Sequence, residues 1–186
     1  MNMPAPGSKV TDTPLDDFSH CHDGILKHLQ AFGQLPALLA PARQARRVAA
    51  DMLAFFHDTV LEHHSQEENE LFPAVLASAR KGEERDRVQA IVDRLTREHR
   101  QVESRWAQLA PALKDVAKGH DSTLDEAAVA SLVATYTAHA RYEEATFLPL
   151  SQQILGRDSN HMAALGLSLH LRHAAPAVMA KFGNRI

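Results

Sequence analysis

From Pro14 onward, apolar residues recur at intervals of three and four over long stretches, and no comparable run alternates with period two. That pattern lays one face of a helix on a core and offers a sheet nothing to pair. Leu15, Phe18, His22, Ile25, Leu29 and Phe32 mark a first helix, running from Pro14 to Gly33 and Pro36. A second starts near Pro41, carries Met52, Phe55, Phe56, Val60 and Leu71, and fades at Lys81-Gly82. Val88, Val92, Leu95, Val102, Trp106 and Leu113 mark a third, ending at Lys118-Gly119. The fourth opens on the capping-box pattern Thr123-Leu124-Asp125-Glu126 and runs to about Leu155. Helices of roughly 20–35 residues with short connections predict an all-α fold, an up-down antiparallel four-helix bundle. Residues 1–13 read as a flexible tail, 14–155 as the bundle, and 156–186 as an additional C-terminal helical extension.

Within this frame one motif occurs twice. His63-His64-Ser65-Gln66-Glu67-Glu68-Asn69-Glu70-Leu71-Phe72-Pro73 and His139-Ala140-Arg141-Tyr142-Glu143-Glu144-Ala145-Thr146-Phe147-Leu148-Pro149 both fit H-x-x-x-E-E-x-x-[LF]-[FL]-P, 76 residues apart. A His and a Glu at i, i+4 share a helix face one turn apart, so both can reach one metal or two neighbouring metals. His64 and Glu68 repeat the spacing of His63 and Glu67. Aligning the copies on their prolines pairs His63 with His139, which predicts His63 and Glu67 inward and His64 turned about 100° to the flank.

Histidine is abundant here, twelve residues against one cysteine, and it is the commonest metal ligand. The first and third helices each place one in the apolar stripe: His22 between Phe18 and Ile25, and His99 between Leu95 and Trp106. Glu103, four residues after His99, falls on the same stripe, where a carboxylate is costly to bury without a cation. The expected inward set is therefore His22, His63, Glu67, His99, Glu103, His139 and Glu143. Seven donors exceed one tetrahedral zinc and suit two octahedral-type ions, such as iron or manganese, bridged by carboxylates. Two divalent ions against three carboxylates leave about +1, which limits the cost of burial.

At these residues the chain resembles the hemerythrin-like, or HHE cation-binding, family, over about residues 14–155. The resemblance implies a non-haem di-iron centre, with manganese or zinc as substitutes. Glu67 and Glu143 would bridge the irons, His22 and His63 would bind one, and His99 and His139 the other. Oxygen-carrying members have a second His one turn after the third-helix His, where this chain has Glu103. The expected function is binding of oxygen or another small diatomic ligand, or iron and oxygen sensing. A di-iron oxidase or peroxide-consuming enzyme is the alternative, favoured by the carboxylate-rich set, and a purely structural metal site is the bland competitor.

A formal charge of −3 argues against nucleic acid as a partner. No window approaches the ~20 apolar residues of a membrane span, and the tail lacks a signal-peptide core. With the lone Cys21 these features predict a soluble cytoplasmic protein. His28, His57, His64, His120 and His161 read as bystanders, and His170 and His173 as a solvated helix face. Glu68 and Glu144 are expected on flanks or orienting a ligand histidine. Met162, Leu165 and Leu169 give the C-terminal extension an apolar side that either caps the bundle or joins two copies as a homodimer.

Overall fold

The computed structural model describes residues 14–157. The tail and, beyond Arg157, the C-terminal extension with His161, Met162, Leu165, Leu169, His170 and His173 lie outside the described residues. The all-α expectation holds: every regular element among the described residues is helical. They form three long stretches: α1 (Pro14–Phe55) continuing through α2 (Glu62–Gln66) to α3 (Phe72–Ser78); α4 (Glu83–Lys118); and α5 (Glu126–Tyr142) continuing to α6 (Leu148–Leu155). π-helical turns at Phe56–Leu61, Glu67–Leu71 and Glu143–Phe147 join the pieces. No described helix is long and apolar enough to cross a membrane.

The segmentation differs from expectation at one place. The first helix does not stop at Gly33 but runs through Pro36 and Pro41 into the second. Among the described residues only Gly82 and Gly119 take positive φ, at 92° and 78°, so Gly33 does not make the left-handed turn that ends a helix. Each proline removes one backbone donor, and the Leu, Ala, Arg and Gln around them propagate the helix well. At the fourth helix, Asp125 rather than Thr123 is the cap: its Oδ1 accepts from the backbone N–H of Ala127 at 2.9 Å and of Ala128 at 3.3 Å.

The chain divides into two units at Gln44–Ala45. In the first, the described side chains from Gly24 to Gln44 are all exposed, Ile25, Leu29 and Phe32 among them. The second holds the core. There α4 packs along α5, and α3 packs on α4 and α6. Glu84 near the start of α4 pairs with Arg157 just after α6, while Glu98 meets His139, so α4 and the α5–α6 stretch run antiparallel.

Two apolar layers divide this core. One is built on Phe72, Val75, Val88, Leu95, Phe147 and Ile154. The other joins Phe56, Val60 and Val102, with Trp106 stacked on Phe56 at 4.0 Å between ring centroids. Between Val60 and Leu71, Leu95 and Val102, and Tyr136 and Phe147 lies a layer that is not apolar. It contains the buried His64, Glu67, His99, His139 and Glu143.

Candidate metal centre

Three helical stretches supply this polar layer, and its inward donors form two groups. His64, His99 and His139 offer ring nitrogens that all lie within 4.8 Å of one another. His63, Glu67 and Glu143 make a second group by the same measure. Glu67 lies between the groups, with one oxygen 3.4 Å from His63 Nε2 and the other 3.2 Å from His99 Nε2. Glu143 Oε2 stands 3.9 Å from His139 Nε2. The rings of His64 and His99 stack at 3.9 Å with 7° between their planes, and His139 meets His99 edge-on at 4.8 Å.

Each imidazole of the first group is held from outside by a carboxylate. Nδ1–H of His64 donates to Glu103 Oε1 at 3.2 Å, that of His99 to Glu68 Oε1 at 2.7 Å, and that of His139 to Glu98 Oε2 at 3.3 Å. An ionised carboxylate only accepts, so this contact fixes the ring proton on Nδ1 and leaves the Nε2 lone pair inward. Arginines anchor these carboxylates in turn. Arg100 binds both Glu68 and Glu103, the latter at 2.7 Å, and Arg94 binds Glu98 at 2.7 Å. Outside the Arg100 cluster opens a cavity of about 310 Å³, with Leu61, His64, Glu68 and Glu103 among its walls.

Four of these residues leave inward atoms without a hydrogen bond. His64, His99 and His139 each bury an unsatisfied Nε2, and Glu67 buries both oxygens unsatisfied. Such groups cost stability unless something pairs them. Burial raises the Glu67 carboxyl to about 7 and, with the neighbouring Glu67, the Glu143 carboxyl to about 8. Burial also lowers the His64 imidazole to about 4, helped by His99, and lowers that of His139. With no cation these four groups are thus driven towards their uncharged forms. Lone pairs buried, converging and unpaired on mixed imidazole and carboxylate donors are what a divalent cation pairs. The donor set fits a metal.

The structure brings His63, Glu67, His99, His139 and Glu143, expected as inward donors, into these two groups. Glu103 lies in neither, its oxygens being taken by His64 and Arg100. His22 is exposed on α1 in the first unit and also belongs to neither. His28, His57 and His120 are exposed.

His64 is a correction. Expected on the flank, it is 1% exposed, while the His63 side chain keeps 33% of its surface open. The π turn Phe56–Leu61 explains this: a π turn takes one residue more than an α turn and advances the register just upstream of the pair. The signal was available in the stripe rather than in the repeat, since Phe56, Val60, His64, Glu67 and Leu71 step by four, four, three and four.

A family model, the hemerythrin HHE cation binding domain, matches residues 13–151. Comparison with curated proteins and with solved structures gives no match.

Proposed function

Because the chain belongs to the hemerythrin HHE cation-binding family, we propose that its buried layer holds two non-haem iron ions and that the pair takes oxygen or another small diatomic ligand, for binding or sensing. The observation that carries this reading is the convergence of six donors in two groups, with the inward atoms of His64, Glu67, His99 and His139 buried and unsatisfied. Iron, when bound, supplies reversible exchange of electrons with a diatomic ligand. The chain's own residues prepare for it. His64, His99 and His139 present inward Nε2 atoms on one side, and Glu67 and Glu143 present buried carboxyls whose protons a cation would displace. Glu67, in reach of both groups, would hold metal from either side, with Glu143 beside it. Phe72 and Phe147 on one side and Val60 and Val102 on the other exclude bulk water from the layer. Manganese or zinc are substitutes on the same donors. The single cysteine accords with a cytoplasmic location.

The carboxylate-rich group His63, Glu67 and Glu143 favours a second reading, a di-iron oxidase or peroxide-consuming enzyme. One preparation tests both. Aerobically purified protein is expected to hold about two irons per chain. A visible charge-transfer band that bleaches on deoxygenation and returns in air supports binding. Rapid peroxide loss with no stable band supports the enzyme. One tightly held zinc with no affinity for iron overturns the di-iron reading.

A further inference from the structure

Glu103 is on the apolar stripe of α4 yet is not turned into the donor layer, and His64 is in the layer although its motif copy predicts otherwise. The two observations are one. His64 and Glu68 stand at i, i+4 on one stretch, and His99 and Glu103 at i, i+4 on the stretch facing it. They pair crosswise: the carboxylate of each stretch holds the imidazole of the other, His64 to Glu103 at 3.2 Å and His99 to Glu68 at 2.7 Å. The two rings are stacked face to face between these contacts. Arg100 closes the arrangement, giving one terminal nitrogen to Glu68 and the other to Glu103.

We propose that His64 is a metal donor of the three-imidazole group and that Glu103, fixed by Arg100, is the positioning residue that aims it, not a donor itself. This rests on the metal-binding reading above. The lone pairs of Glu103 face His64 and the guanidinium, so an inward turn would strip both His64 and Arg100 of a partner. A ligand imidazole whose far nitrogen is held by a carboxylate is fixed in tautomer and orientation and is a more basic donor. Arg100 serves two imidazoles at once, so a change at this one exposed residue reaches both. Its place on the wall-side of the 310 Å³ cavity puts that control where solvent has access.

A double-mutant cycle tests the assignment, with Co²⁺ titrated into the metal-free full chain and read by its visible ligand-field bands. Glu103→Ala is expected to weaken one of two Co²⁺ sites about 10–100-fold while leaving two sites fillable. His64→Ala should weaken that same site further. The double variant should be no weaker than His64→Ala, because Glu103 acts only through His64. Glu103→Gln, which keeps an acceptor oxygen, should recover most of the affinity. Additive losses, or a ligand-field spectrum changed by Glu103→Gln as much as by His64→Ala, would overturn the proposal while leaving the metal site standing. Failure of the unmodified chain to bind Co²⁺ would overturn the metal reading itself and this one with it. Ring-nitrogen NMR of the unmodified metal-free chain needs no variant to fold. It should find His64 protonated on Nδ1, and protonation on Nε2 would overturn the proposal.

Discussion

In the first copy of the repeated motif, His63 keeps 33% of its side chain in solvent and the next residue, His64, is buried. In the second copy, His139 is buried and Ala140 follows it. The copies agree again at Glu67 and Glu143, both buried, then diverge: Glu68 holds His99 while Glu144 is exposed. Leu71 and Phe147 are both core, but Phe72 is 2% exposed and Leu148 41%. Like sequences therefore occupy unlike places. The first copy faces α4 across two registers, inward and crosswise, and the second across one. A repeat fixes the spacing along a helix, and the neighbours decide which side of it is inside.

The tail of the motif gives the largest way to break this comparison. Phe72 stacks near His99 at 5.9 Å and meets Phe147 edge-to-face at 5.0 Å. Phe72→Ala should cost about 3–5 kcal/mol of unfolding free energy, as buried phenylalanines do. Leu148→Ala should cost less than about 1 kcal/mol, because much of its surface is already in water. Denaturant midpoints of the two variants measure the difference, and equal losses would mean that the copies pack alike.

The next effect concerns the second glutamate of each copy. Glu68→Ala removes the acceptor of His99 Nδ1 and one anchor of Arg100, and should weaken metal binding roughly 10–100-fold. Glu144→Ala, on the exposed side of α5's continuation, should leave affinity unchanged. Isothermal titration of the metal-free variants with Zn²⁺ decides it; a matching loss at Glu144 would restore the equivalence of the copies.

These residues also mark how far the sequence could be read. The bundle class, the lengths of α4 and of the α5–α6 stretch, and the inward place of His99 follow from stripes that a 3.6-residue period displays, and those of Glu67, His139 and Glu143 from the repeated motif. The place of His64 is written in the stripe Phe56, Val60, His64, Glu67 and Leu71, but aligning the two motif copies on their prolines points to His63 instead. The crosswise hold of Glu68 and Glu103 was hidden. An i, i+4 pair on one helix looks the same whether its carboxylate shares the metal with its own histidine or serves the histidine of a facing helix. The continuity of α1 through Pro36 and Pro41 shows the same limit, since proline disfavours a helix interior without forbidding it.

The smallest effect sharpens the place where the copies do agree. Glu67 and Glu143 are raised by burial to about 7 and 8, whereas an unfolded chain ionises them near 4.5. Between pH 6.5 and 8 the metal-free folded chain thus binds protons that the unfolded chain has released, so stability falls as pH rises. The imidazoles act elsewhere: His64, lowered to about 4 from 6.5, costs stability only as pH falls below 6.5. The denaturant midpoint of metal-free protein should accordingly drop from pH 6.5 to pH 8, by an amount on the order of 1 kcal/mol. Replacing both carboxylates, as Glu67→Gln with Glu143→Gln, should flatten that slope. Adding Zn²⁺ should reverse it, since the cation then competes with the same protons and binds more tightly as they leave. A metal-free chain whose stability does not change between these pH values would mean that the two glutamates are ionised without a cation, and that their buried oxygens have partners other than a metal.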